Sequence, residues 1–503
     1  LNRWAGAAAL VALQLLLLLP LYSGWPDTFL QDEAYVVLGA RRMLEGEFPY
    51  RDWFSYLSPG SYCLSVPWMA LLGSGQLGTR SLMVLISVLQ GLVVWQLTAP
   101  LSRAWRALAW LLWATLGIME IPILNYHWFS LLWYSLATLA ARSWVGGSQR
   151  AALATGVLVA LAGWTLQSEG LAGVLLLVVT WAVFRPPGLL RALLGLLIAS
   201  LVLWGPFLPW LPQIWQQSVL SLADHLDWAH FPYSWSELTP TWEAARASSP
   251  VADPLGFSYA WLLFGLRALK YGVIPLLVLA SLAQGWRTKN RDLQILVLSL
   301  VVLGWANRNR QTLHYLGYLL PLAFPLLVHL LASLPKGRWL RDGLAVLTLL
   351  FAVLGGLLWL RDCRVPIDTP SGRYWSTEPY QQKLYSILGR WATRCAQDPG
   401  GALCLMYQPS LYQLWYVRNP IGPMALVPYQ TRPETVREVA RQLDAQATPW
   451  ILFVPLPPEA IAFEHPRVDA REFDRLQHEF YQILTEHYQV VENADVLQLL
   501  HRR

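Results

Sequence analysis

The chain has 503 residues, of which 55% are hydrophobic and only 14% charged, with a mean hydropathy of +0.37 and a net charge of +6. A soluble domain is about 25% charged, so a single water-soluble globular domain is excluded, and no basic run points to nucleic acid. The deficit is uneven: residues 361–503 hold 15 Lys and Arg with 16 Asp and Glu, whereas residues 1–360 hold 22 and 15. This pattern predicts two domains, a membrane body over 1–360 and a soluble C-terminal domain over 361–503.

A membrane helix needs roughly 17–25 mostly apolar residues. The first apolar stretch, 5–22, follows Arg3 and has no small-residue cleavage site before Asp27, so it reads as a retained anchor. A long polar loop follows. Within it the pattern from Asp32 is helical and Gly46 ends the run. Asp32 opens that helix directly after the first span. It is either a helix N-cap or, with Glu33, a carboxylate pair at the mouth of a bundle, able to act as a general base or hold a cation. The stretch 61–73 is too short and interrupted to span and reads as an interfacial helix. Further apolar stretches lie at 77–99, 107–123, 126–141, 152–166, 170–184, 192–211, 271–286, 293–306, 314–334 and 343–360. The shorter ones between 126 and 184 are read as tilted spans, spans in a thinned bilayer or re-entrant segments. The expected fold is an all-α polytopic membrane bundle of about 11 transmembrane helices, with outer-face interfacial helices and a small C-terminal α/β extracytoplasmic domain.

Basic residues set the expected orientation. An inside N-terminus places 13 of them in short inside loops, Arg103, Arg142, Arg287 and Arg338 among them. Thirteen acids of the body then lie outside and only Asp292 and Asp342 inside. An odd number of spans puts the C-terminal domain outside as well. The protein is thus expected in the cell membrane, multi-pass, with a cytoplasmic N-terminus. Its polar groups gather at the outer helix ends, in two long loops (23–76 and 211–270) and small turns at 120–127, 167–170 and 307–314. A transporter or lipid flippase needs polar groups near the mid-bilayer, and a non-catalytic scaffold has no use for a carboxylate pair. Both readings are therefore weaker than an enzyme working at the outer membrane surface.

Several segments then act together. An acidic pair follows the first span, and an amphipathic helix leads to Gly46-Glu47-Phe48-Pro49-Tyr50-Arg51-Asp52, followed by Ser58-Pro59-Gly60-Ser61-Tyr62. Asn125-Tyr126-His127-Trp128 stands in the second outer loop, and His314-Tyr315-Leu316-Gly317-Tyr318 opens the tenth span. In these features the body resembles the C-superfamily glycosyltransferases that use lipid-linked sugars. It is most similar to the branch with protein O-mannosyltransferases, the lipid A aminoarabinose transferase and rhizobial lipopolysaccharide glycosyltransferases.

The resemblance implies transfer of a hexosyl or pentosyl group from a polyprenyl-phosphate carrier to a glycan, lipid or protein acceptor on the outer face, with inversion. It implies a base, matched by Asp32 with Glu33 beside it. It implies no certain cofactor and no metal ligand set, but allows a divalent cation near Asp32 and Glu120, where relatives carry a second acid. Cations available for the lipid phosphate are Arg267, Lys270, Arg308 and Arg310, the last two equally readable as interfacial anchors. Asp52, Tyr56, Tyr126, His127, His314 and Tyr315 are the motif residues that would meet substrate, although the two histidines read as well as packing residues. Ser55-Tyr56-Leu57-Ser58 stands where lipid A-modifying relatives carry a lysine. Glu169 is either a solvated turn residue or a cavity-facing acid. Trp53, Trp228 and Trp235 either stack on sugars or belong to the interfacial belt.

In the C-terminal domain, 402–407, 450–455 and 490–499 read as strands, and 433–446 and 469–487 as amphipathic helices. Cys363, Cys395 and Cys404 allow one disulfide there with one thiol left over; Cys63 lies in the body.

Overall fold

A computed structural model describes residues 5–23, 30–117, 123–220, 238–308, 316–376, 379–405, 410–419, 433–453, 470–494 and 497–503. In chain order the first helices are α1 (Ala5–Ser23), α2 (Leu30–Leu44), α3 (Gly60–Leu72), α4 (Gln76–Leu97), α5 (Arg103–Leu112), α6 (Tyr126–Val145), α7 (Gln149–Thr165), α8 (Gln167–Phe184), α9 (Leu189–Trp204) and the short α10 (Leu211–Ile214). Then come α11 (Thr239–Ala247), α12 (Pro254–Thr288), α13 (Arg291–Ala306), α14 (Leu320–Ser333) and α15 (Gly337–Asp362). The C-terminal part adds strands β1 (Val365–Thr369) and β2 (Gly372–Ser376), helix α16 (Pro379–Ala396), β3 (Ala402–Leu405), α17 (Ser410–Trp415), α18 (Pro433–Ala445), β4 (Trp450–Phe453), α19 (Ala470–His487), β5 (Tyr488–Ala494) and β6 (Leu497–Arg502).

Each of the eleven apolar stretches overlaps a helix. Among the described residues, Gln76–Leu97, Gln167–Phe184, Leu189–Val219 and Gly337–Asp362 are long and apolar enough to cross a membrane, and Ala8–Leu18, Gly60–Leu72 and Leu320–Ser333 are shorter apolar helices. Helices α9 and α15 turn Leu190, Leu197, Val202, Val346, Val353 and Leu360 outward. Such a surface is a liability in water and suits hydrocarbon.

The chain divides into two compact units. One comprises Leu1–Ser23, Ser81–Pro206 and Phe231–Cys363; the other comprises Gly24–Arg80, Phe207–His230 and Arg364–Arg503. In the first unit α7 packs against α6, α8 and α9. Small residues permit this: a Cβ on Gly156 would strike the Ala192 carbonyl, one on Gly195 the Leu153 carbonyl, and Gly163 faces Gly170. Ala137, Trp144, Ala152, Val159, Leu177 and Ala192 fill the core between them. Polar pins join the other helices. Gln14 on α1 donates to Ser87 Oγ and accepts from Trp110 Nε1, both at 2.7 Å. Arg142 on α6 donates to the Leu97 carbonyl at 2.7 Å and to Asp292 at 2.8 Å.

The second unit joins the first long loop to the C-terminal domain. There α2 lies on α3, with no room for a side chain at Gly39 beneath the Tyr62 ring. The domain holds an antiparallel β1–β2 pair and a four-stranded sheet of order β3-β4-β6-β5, in which β3 and β4 run parallel and the other neighbours antiparallel. Val439 and Leu443 of α18 and Phe480 and Leu484 of α19 cover Leu403, Ile451 and Leu500 of the sheet. The stretch 490–499, expected as one strand, is two: β5 and β6 pair as a hairpin with Ala494 opposite Leu497. The hydrophobic pattern runs on from one strand into the next, so periodicity alone does not reveal the reversal between them. The segments β1, β2, α16 and α17 were not anticipated. Cys395, buried in α16, carries a free thiol.

Candidate active site

The acidic pair lies in the first turn of α2, and Arg41 and Arg42 lie in its last turn, charges that complement the helix dipole at both ends. Asp32 lies within the helix Leu30–Leu44, in its first turn, and so is not the cap. The neighbours differ in environment. Asp32 is half-buried, whereas Glu33 is fully buried. Glu33 Oε1 lies 3.3 Å from Nη2 of Arg80, itself fully buried at the start of α4, and accepts a hydrogen bond from Gln413 Nε2 at 3.2 Å. Two opposite charges out of water are tolerated only as such a pair, since losing either leaves an uncompensated charge. Tyr374 of β2 sits beside the pair. Burial pushes its hydroxyl up to about 12, and the Arg80 charge opposes this less strongly.

Around α2, Tyr56 meets Tyr35 edge-on at 5.8 Å. Asp52 accepts the Phe48 N–H at 2.7 Å and the Arg51 guanidinium at 2.8 Å. The Arg51 hydrogen bond above all holds its carboxyl below the usual range. Asp52 therefore closes the local 48–52 turn. Trp53 is buried against Tyr62 at 5.1 Å, with Arg42 over its ring, and packs there as a core residue. Trp228 and Trp235 lie outside the described residues.

In the other unit, sequence candidates chosen separately come together. Asn125 caps α6 by accepting the His127 N–H at 2.8 Å, and its Nδ2 donates to the Tyr318 hydroxyl at 3.1 Å. His127 Nδ1 meets Glu169 Oε1 at 3.1 Å, and Ser168 Oγ donates to Glu169 Oε2 at 2.6 Å. The His127 ring stacks on Tyr318 at 4.2 Å and lies 4.7 Å from Tyr126. Glu169 is fully buried, which decides against a solvated turn.

Of the candidate cations, Arg308 is exposed, lies over the Trp305 ring at 4.3 Å and donates to the Trp305 carbonyl. Arg267 donates to Thr241 Oγ1 at 2.8 Å, and Lys270 lies on α12. Glu120, Arg310, His314 and Tyr315 lie outside the described residues. Among the described residues no three His, Cys, Asp or Glu side chains converge as metal ligands. Glu33 is already engaged by Arg80, so Asp32 and Glu33 alone do not make up a metal site. Arg80, Tyr374 and Gln413 were missed in the sequence. Arg80 gave one signal, a lone charge opening an apolar run, which demands a buried partner; Gln413 gave none.

No protein-family model matches the chain, and no curated protein matches it in sequence. Solved structures do match. Over nearly its whole length the chain shares the fold of the solved structures named next, the fold that the Asp32-Glu33 segment and its flanking motifs led us to expect. It is similar to ArnT, the lipid A aminoarabinose transferase, from Cupriavidus metallidurans bound to undecaprenyl phosphate, with 14% identity, a TM-score of 0.57, and coverage of 99% of this chain and 98% of that one. The apo state of the same ArnT aligns at 13% identity and a TM-score of 0.55, over 98% and 97% of the two chains. The Archaeoglobus fulgidus oligosaccharyltransferase in complex with Zn and sulfate aligns at 12% identity and a TM-score of 0.54, over 88% of this chain and 67% of its own.

Proposed function

We propose that this protein is an integral-membrane glycosyltransferase that moves a sugar from a polyprenyl-phosphate carrier to an acceptor on the outer face of the cell membrane. The observation that carries the reading is the match over 99% of the chain to a structure bound to undecaprenyl phosphate. The outward apolar faces of α9 and α15 support the membrane setting. The concentration of acids in the outer loops supports the placement of the chemistry, with a cytoplasmic N-terminus and a C-terminal domain, 361–503, outside.

The reaction is a single displacement with inversion. Asp32 takes the proton of the acceptor hydroxyl as its oxygen bonds to the anomeric carbon. The bond from that carbon to the carrier phosphate breaks, and the lipid phosphate leaves with the electron pair. A base positioned this way contributes roughly 10²–10⁴-fold. Exposed Arg308, together with Arg310, holds the departing phosphate, for which a planar guanidinium suits better than an ammonium. His127, fixed by Glu169 and Tyr318 at the start of α6, is a further candidate for contact with phosphate or sugar. Glycan, lipid and protein acceptors all fit this chemistry.

The test uses the purified full chain in lipid nanodiscs. It is expected to bind undecaprenyl phosphate and to release it from undecaprenyl-phosphate-linked mannose, glucose or aminoarabinose when cell-envelope acceptors are supplied. Mass spectrometry of envelope glycans after gene deletion then identifies the acceptor. Absence of undecaprenyl phosphate binding, with an unchanged glycan profile in the deletion strain, would overturn the reading.

A further inference from the structure

We infer that Glu33 is a positioning residue and that Gln413, from the C-terminal domain, completes the buried cluster that holds it. The C-terminal domain is then a built-in part of the catalytic site. This rests on the reading of Asp32 as the base.

Glu33 Oε1 is met by Arg80 at 3.3 Å and by Gln413 Nε2 at 3.2 Å, and all three side chains are buried. A carboxylate committed in this way, with no exposed surface, does not reach the hydroxyl of an incoming acceptor. Its half-buried neighbour Asp32 keeps that access. What Glu33 does instead is fix the first turn of α2, and so the backbone that carries Asp32.

The C-terminal domain grips the same helix at its other end. Arg41 donates to the Tyr412 carbonyl at 3.0 Å, and its guanidinium lies over the Tyr416 ring at 5.3 Å. The start of α4, which supplies Arg80, is held too: the Gln76 N–H donates to the Ser371 carbonyl at 2.8 Å. Gly75 is needed there because a Cβ would strike that carbonyl and the Tyr416 hydroxyl. Catalytic helix, charge partner and C-terminal domain thus form one clamp, with Gln413 and Tyr374 as its buried contributions from the domain.

The experiment compares the parent, Asp32→Asn, Gln413→Ala and the double variant Glu33→Gln with Gln413→Glu. All are purified full chains, read by transfer from the undecaprenyl-phosphate donors above, by melting, and by amide exchange over residues 30–44. Gln413→Ala is expected to lower kcat about tenfold, the scale of a hydrogen bond to a charged group. Donor KM should stay within about twofold, while exchange in the first turn of α2 accelerates. The double variant keeps one carboxylate and one amide in the buried cluster and is expected to recover most of the lost kcat. If it melts like the parent yet is as inactive as Asp32→Asn, Glu33 does chemistry and the inference fails. Parental kcat and parental α2 exchange in Gln413→Ala would also overturn it. An active Asp32→Asn overturns the base reading instead. Should no donor turn over, the exchange and melting of Gln413→Ala decide the clamp alone.

Discussion

His127 and Glu169 meet at 3.1 Å although they lie 42 residues apart, and both side chains are buried. The contact joins the start of α6 to the start of α8, and Tyr318 closes it from a third segment.

A buried hydrogen-bonded pair of this kind should show strong coupling. His127→Leu and Glu169→Leu are each expected to cost about 1–3 kcal/mol, the scale of an orphaned buried polar group. The double variant should cost clearly less than the two together, with an interaction energy of about 0.5–3 kcal/mol. Additive losses in melting of the purified chain would show that the pair does not act as a unit.

Asp32→Asn is expected to lower kcat by roughly 10²–10⁴-fold. Stability should fall by no more than about 1 kcal/mol, because Asn keeps the shape and hydrogen-bonding capacity of the side chain and gives up its charge near the helix N-terminus. A purely structural Asp32 predicts near-parental turnover in the Asn variant. Parallel assays of sugar transfer and melting separate the two.

Arg308→Ala is expected to raise donor KM about tenfold, the scale of a charge-assisted contact to phosphate. Folding should change by less than about 0.5 kcal/mol, since the side chain is exposed. Titration with undecaprenyl phosphate reads this directly. Unchanged affinity in both Arg308→Ala and Arg310→Ala would move the phosphate site to Arg267 or Lys270.

Burial pushes the Cys395 thiol up to about 12, so very little thiolate is present near neutral pH. The stabilisation of the neutral thiol implies that Cys395 resists N-ethylmaleimide in the native chain and reacts once the chain is denatured. Peptide mapping by mass spectrometry checks the site; rapid native labelling at Cys395 would contradict the structure.

Topology is tested at the chain end. A reporter active only outside the cytoplasm, fused after Arg503, should work, because 13 basic residues in short loops favour an inside N-terminus. Activity of a cytoplasm-only reporter at the same site would reverse the orientation.

The sequence by itself determined the membrane body, the helices under its apolar stretches, the α/β character of the C-terminal domain and the acidic pair after the first span. Each is a local property: hydropathy and periodicity are read over windows no longer than one element. Asp32-Glu33 was legible because charge is conspicuous beside an apolar run, and with its flanking motifs it carried the resemblance that anticipated the fold shared with ArnT. Periodicity failed at 490–499, where the apolar pattern runs across a chain reversal. Only the tertiary structure decided how the charges are used. Glu33 and Asp32 are adjacent in the chain, yet burial assigns Glu33 to Arg80 and to Gln413, 380 residues away, and leaves Asp32 half-exposed. Asp52, equally acidic on paper, is consumed by its neighbour Arg51, whereas Glu169 finds His127. A carboxylate removed from water must have a partner, but which partner depends on what the fold places within about 3 Å of it, and no window of sequence contains that distance.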